Sequence, residues 1–281
     1  MKINFDDFFL SFFLSFFLLY LDTGSDAIET QQKLLRIMKS TQERERLKSR
    51  LFAKSAACDR GFGASIKDRE DIASIVEELS ALSPENVPTR GLSPFRTAVQ
   101  GSEMNEMALA TEAPIVGAWQ MIYTTAFDVL SLAASPLTLL QGIYQVIFAD
   151  GTSVNVIDLA PRIQVILPVQ LQTERNLTST LRARVFTTAK ARSDDRVGLT
   201  FKRVAVSAFK FLNLDVSKFP KFGVTFPTAS TIGAGSDTTD NDPGYFDILY
   251  VDNDCLIIKQ NAPGGIFVNI RSEEPMSSFL E

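Results

Sequence analysis

The 281-residue chain contains no histidine. Imidazole is the commonest general base, the commonest transition-metal ligand and the usual activator of serine and cysteine nucleophiles, so these chemistries lose their main agent together. Cysteine is nearly absent as well. Cys58 and Cys255 stand far apart without metal-ligand or redox spacing, and read as unpaired small hydrophobes, with a disulfide as the lesser alternative. Cations are outnumbered, 28 Lys and Arg against 33 acids, whereas phosphate binding needs clustered cations, which disfavours nucleic acid. Carboxylates are plentiful, yet none has a spacing that supports catalysis. What the chain does have is apolar residues, 45% of the total, enough to bury one domain or two.

Residues 8–21 (FFLSFFLSFFLLYL) form an apolar run interrupted only by serine. It is shorter than the roughly 20 residues that cross a bilayer. It has the length of a signal-peptide core, with Lys2 in front and Ser25-x-Ala27 as a cleavage site, although Asp6 and Asp7 weaken the basic flank. Residues 1–27 therefore read as a signal-like targeting leader, against a retained anchor or a buried helix. Residues 28–57 read as a helical lead-in or a second, transit segment: Leu34, Ile37 and Met38, then Leu47, Leu51 and Phe52, have helical spacing. Glu43 and Glu45 count against a transit peptide, which is usually acid-poor.

The next helix is better marked. Ser65-x-x-Asp68 is a capping box, Ile72, Ile75, Val76, Leu79 and Leu82 make one stripe, and Ser83-Pro84 ends it, predicting a helix over 65–82. Residues 84–114 read as a connector. From 116 to 271 the pattern is β. The alternation in 118–125 places Trp119, Met121 and Tyr123 on one face. Strands follow at 143–149, 153–159, 180–189, 197–209, 222–226, 245–251, 255–260 and 266–271. Asp150-Gly151 is a hairpin signal, and the loop 228–243 is rich in Thr, Gly and Asp. Eight or nine strands without crossover helices predict a mainly β protein, an antiparallel barrel or sandwich with an N-terminal helical segment. A parallel α/β sheet is excluded, because each crossover would need a dozen residues or more. A barrel of about eight strands holds either its own side chains or one small ligand.

Several stretches are candidates for function. The apolar connector 129–143 carries Leu130, Leu132, Leu137, Leu139 and Leu140 where a polar loop is expected; it reads as a lid over the barrel mouth or as a membrane or partner contact. In a closed barrel the first and last strands are neighbours, so Arg271 can stack on Trp119, beside Gly117, and close one end. Asn155 and Asp158 have odd spacing, which puts them on opposite faces of one strand that exits at Arg162; they read as a buried polar network or as a head-group contact. Asp252 and Asp254 read as a β-turn, since the glycine and closing glutamate of a calcium loop are missing. Pro263-Gly264-Gly265 is a turn before a strand, not a phosphate cradle before a helix. Asn176-Leu177-Thr178 is a formal glycosylation sequon.

Gly117-x-Trp119 with a late arginine resembles lipocalins. Taken in order, Cys58-Asp59-Arg60-Gly61, the capped helix 65–82, Gly117-Ala-Trp119-Gln-Met-Ile-Tyr123-Thr124-Thr125, Ile143-Tyr144-Gln145, Asn155-Val156-Ile157-Asp158 and the closing segment Tyr250 to Arg271 resemble the plastid lipid-associated proteins, or plastid fibrillins. The resemblance covers roughly residues 50–271, within a domain taken as 58–281. Two stretches depart from the pattern: the apolar lead before Gln141-Gly142, and residues 168–180, which are longer and more polar than expected.

The resemblance implies a lipocalin-like barrel at thylakoids or plastoglobules. It implies binding of carotenoid, prenylquinone or other lipid, or coating of a lipid surface, with no catalysis and no cofactor. The ligand-binding residues it implies are Trp119, Tyr123, Tyr144, Gln145, Asn155, Asp158 and Arg162. The alternative is a docking module for a plastid lipid- or quinone-synthesis enzyme. Peripheral membrane association is expected, and no nucleic acid. With a signal-like leader, the expected destination is a secondary plastid reached by the secretory route, although the aromatic residue usual after such a cleavage point is replaced by Ile28.

Overall fold

The computed structural model describes residues 25–92, 113–132, 136–162, 179–211, 214–215, 222–225, 244–261 and 264–280. The apolar leader run, the sequon at 176–178 and the loop 228–243 lie outside the described residues. Residues from Leu47 onward form one compact unit, and Met1–Arg46 form another.

Helix α1 (Ser25–Ala57) is followed by α2 (Ile66–Ala81). In α2 the predicted capping box is present: Ser65 Oγ accepts from the Asp68 N–H at 3.2 Å, and the Asp68 carboxylate accepts from the Ser65 N–H at 3.0 Å. Two orphan donors of the first turn are thereby satisfied. The body is a single antiparallel sheet of ten strands: β1 (Gly117–Thr124), β2 (Thr138–Ile147), β3 (Thr152–Pro161), β4 (Thr180–Ala191), β5 (Arg196–Phe211), β6 (Leu214–Asp215), β7 (Phe222–Thr225), β8 (Tyr245–Val251), β9 (Cys255–Gln260) and β10 (Gly265–Arg271). A short helix, α3 (Phe127–Leu132), lies between β1 and β2.

The strand order β4-β3-β2-β1-β10-β9-β8-β5, with β5 pairing back to β4, makes a ring of eight. The expected mainly β, barrel-like architecture is therefore present. The ring is unevenly closed. β4 and β5 pair from Thr180↔Lys210 to Ala191↔Val197, whereas β5 and β8 pair only at Arg196↔Asp247, Val197↔Phe246 and Gly198↔Tyr245. Beyond that seam the same edge of β5 takes β7 and β6 instead. The short seam is reinforced by Arg196, which donates to Asp247 at 2.6 Å and lies 4.2 Å from the centre of the Tyr245 ring.

Three apolar clusters hold the unit together. Inside one end of the ring, Trp119, Ile147, Val197, Phe246 and Leu256 pack with Leu92 and Ile115. On the outer face, Leu47 and Leu51 of α1 and Ile72, Ile75, Val76 and Leu79 of α2 cover Tyr123, Tyr250, Cys255, Ile257 and Val268. Cys58 and Cys255 are both buried as free thiols in this cluster, as small hydrophobes. A second outer patch, Ala118, Val146, Val154 and Val156, is covered by Phe279 from the C-terminal 3-10 turn Met276–Phe279.

Two local expectations are corrected. Trp119, Met121 and Tyr123 do not share a face: a β-bulge between Met121 and Tyr123 shifts the register against β10, and Tyr123 joins the helix-covered cluster while Trp119 and Met121 face inward. An extra residue in one strand breaks the period-two alternation that the sequence reading relies on. The segment 129–143 is not one loop. Val129, Leu130 and Leu132 belong to α3, and β2 starts at Thr138, so Leu139 and Leu140 pair with Ala160 and Leu159 of β3. A second bulge, between Leu140 and Gly142, hid the start of this strand by interrupting its alternation.

Candidate functional site

Inward-facing residues alternate along each strand, and above the Trp119 cluster they leave a cavity of about 300 Å³. That is the lower end of the range usual for small-molecule sites, roughly 300–1,000 Å³. Ile143, Ile157, Val185, Ile258 and Phe267 give it apolar walls, and Val129 of α3 reaches it from the β1–β2 connection. At the β5–β8 seam the lining continues through Leu199, Phe201, Gly244 and Tyr245. Phe201 lines the cavity and is nevertheless 53% exposed, so the cavity meets the surface where the seam ends.

Four carboxamides interrupt the apolar wall: Gln145, Asn155, Asn269 and Gln260. Gln145 and Asn155 are direct cross-strand partners on β2 and β3. Asn269, opposite Met121 on β1, is 3% exposed and donates from Nδ2 to the Leu256 carbonyl at 3.1 Å. Among the described residues, neither Asp, Glu, Lys nor Arg lines the cavity.

The end of the barrel is closed beneath this space. Arg271 pairs with Trp119 across β10 and β1, and its guanidinium lies 4.1 Å from the indole ring centre. The indole Nε1 donates to the Ile115 carbonyl at 2.9 Å, and Arg271 Nη1 donates to Val116 O at 3.1 Å. Gly117 has φ +149°, and a Cβ there would collide with the Arg271 guanidinium, so glycine is required both by the backbone and by the stacked pair. Burial pushes the Arg271 pKa down, while Asp252 and Asp254 act in the opposite sense.

The residues singled out in the sequence go to different places. Gln145 and Asn155 line the cavity, and Tyr144 borders it while its ring packs on Phe279 at the outer patch. Trp119 is wholly buried in the core below it, and Tyr123 is buried under the helices, where burial raises its phenol pKa. Asp158 is held on the other face of β3 by Arg182, through two 2.7 Å contacts; the odd spacing from Asn155 accounts for the opposite direction. Arg182 also donates to Ser278 O, and Arg184 donates to Phe279 O at 2.8 Å and to Ser207 Oγ at 2.7 Å, so the polar network on that face holds the C-terminal turn. Arg162 follows β3, and its N–H donates to Leu137 O. At the α3–β2 corner Leu137 is 77% exposed, Leu130, Leu139 and Leu140 are half-buried, and Leu132 ends α3.

Sequence reasoning missed Met121, Phe201, Phe267 and Asn269 as lining residues, and Phe127 as an exposed aromatic, at 79%. The signal for Phe267 and Asn269 was available in their two-residue spacing from Arg271. Phe201 stands at the same two-residue spacing from the inward-facing Val197 and Leu199 of β5.

The cavity is thus mostly apolar, and among the described residues no charged side chain lines it. A family model, PAP_fibrillin, matches residues 97–269, most of the barrel. The chain belongs to the plastid fibrillin family. It is therefore a plastid lipid-associated protein, from a family whose members are in general structural rather than catalytic. No curated protein and no solved structure matches the chain. The matched segment contains every cavity-lining residue and ends just before Arg271.

Proposed function

We propose that this fibrillin-family chain is a non-enzymatic binding protein that takes part of a lipophilic molecule into its barrel, in association with thylakoid or plastoglobule lipid. The observation that carries the reading is the 300 Å³ apolar cavity that meets the surface at the β5–β8 seam. Its size suits a ring or a short chain segment, with the remainder of a longer lipid leaving past Phe201. The signal-like leader and the family together favour entry to a secondary plastid through the secretory route.

Mass spectrometry of the protein purified under native conditions tests this reading. Wild-type protein is expected to carry carotenoid, prenylquinone or another lipid, and Val185→Trp, which fills the cavity, is expected to lose it while keeping the wild-type circular dichroism. Release of the protein from membranes by mild salt, with no lipid bound, would overturn the reading.

A second reading, docking of a plastid lipid-metabolic enzyme, is favoured by one observation. Phe127 and Leu137, at the two ends of the α3 connection, are large apolar side chains left almost fully exposed.

A further inference from the structure

The cavity's polar side chains are all uncharged: four carboxamides and the phenols of Tyr144 and Tyr245. Gln145 and Asn155 sit side by side on neighbouring strands, and neither amide makes a hydrogen bond with the described residues. Asn269 spends one N–H on Leu256 O, which leaves its amide oxygen for the interior. A carboxamide offers both donors and an acceptor without charge. At the rim, Arg192 and Arg196 lie over the Tyr245 ring, and Arg196 is paired with Asp247.

From this lining we infer that the cavity selects an uncharged lipophile carrying a carbonyl or hydroxyl oxygen, and discriminates both against lipid anions and against plain hydrocarbons. The inference rests on the reading that the barrel takes up a lipophilic molecule. Two penalties set the selectivity. A carboxylate or phosphate entering the cavity would lose its water and meet no cation among the described lining residues, and an unpaired buried charge is far costlier than a neutral polar group. A hydrocarbon would instead displace water from the Gln145 and Asn155 amides and leave them unpaired, a loss that a site built around hydrogen-bonding groups turns into discrimination. A neutral oxygenated ligand avoids both: its oxygen accepts from the Gln145 or Asn155 amide, and its apolar body meets Ile143, Ile157 and Val185.

The experiment is displacement of a neutral fluorescent lipid probe from the full chain by three ligands of equal chain length: a methyl ketone, the carboxylate at pH 8, and the alkane. The ketone is expected to bind at least tenfold more tightly than either competitor. In Asn155→Leu and Gln145→Leu the preference for ketone over alkane should collapse to within about threefold, while rejection of the carboxylate persists. Carboxylate binding equal to or tighter than ketone binding overturns the inference and leaves the cavity reading intact. Equal binding of ketone and alkane by wild-type protein also overturns it. If neither the probe nor any of the three ligands binds, the proposed function itself fails. The wild-type series decides the matter even where a leucine variant does not fold.

Discussion

The Arg271 guanidinium lies over the Trp119 indole, 4.1 Å from the ring centre, across the β1–β10 pairing. This stack closes one end of the barrel, and it fits only because residue 117 has no side chain. Such a pair contributes about 0.5–2 kcal/mol, the upper part of the range when water is excluded.

Gly117→Val should therefore destabilise the protein more than the loss of the stack itself. The new side chain is strained at φ +149° and overpacks the guanidinium, a combined cost of about 2–4 kcal/mol. Arg271→Ala should cost about 1–2 kcal/mol. Urea unfolding followed by Trp119 fluorescence, the chain having a single tryptophan, measures both. Equal stability of Gly117→Val and wild type would refute the packing described.

Lys48, only 4% exposed, donates to Asp252 at 2.9 Å and to Asp254 at 2.7 Å, tying α1 to the β8–β9 turn. Lys48→Met should cost about 2–4 kcal/mol, because it leaves two carboxylates without their cation. The pH dependence follows from the shifts. Asp252 is held down to about 2 by hydrogen bonds from the Asp254 turn, Tyr250 and Lys48, which outweigh its desolvation, whereas burial and Asp252 push Asp254 upward. A depressed carboxylate stabilises the fold fully above its unfolded value, near 3.9, and loses that contribution as pH falls from about 5 towards 2. The stability gap between wild type and Lys48→Met should thus be widest above pH 5 and narrow towards pH 2. A gap that widens on acidification would contradict the assignment.

Arg182 and Asp158 form a bidentate pair buried beneath the C-terminal turn. Arg182→Met alone should cost about 3–5 kcal/mol, by orphaning the carboxylate. The double variant Arg182→Met/Asp158→Leu should recover much of that loss, since a buried ion pair replaced by apolar residues of similar volume is often neutral. A double-mutant cycle in urea gives the coupling directly, and additive losses would show that the pair is not what holds this face.

The pair Phe127→Ser and Leu137→Ser addresses the exposed corner. Both side chains are almost fully exposed, so stability should change by less than about 0.5 kcal/mol. Recovery of an enzyme partner in pull-downs should drop severalfold if the corner docks one. Flotation with plastid-lipid vesicles, run in parallel, separates a lipid contact from a protein contact. Unchanged pull-down would remove the docking reading.

Much of this protein was legible because its information is local. Turn chemistry and period-two alternation placed eight strands to within a few residues, and the Ser65–Asp68 spacing placed the start of α2. A capping box and a hairpin turn are made by residues a few positions apart, so the chain declares them without folding. The Trp119–Arg271 pairing was also readable, because closing any barrel brings its first and last strands together.

The sequence by itself determined a mainly β, antiparallel body, the absence of imidazole chemistry and an ordered set of family motifs. Only the tertiary structure decided which face each side chain takes past a bulge, as Tyr123 shows, and that Arg182 is the partner of Asp158. It also decided that a 300 Å³ space remains inside, bordered by Phe201 where β5 parts from β8. The reason is physical: a cavity is the volume that distant strands fail to fill, and its shape depends on register and curvature, which no local run of residues encodes.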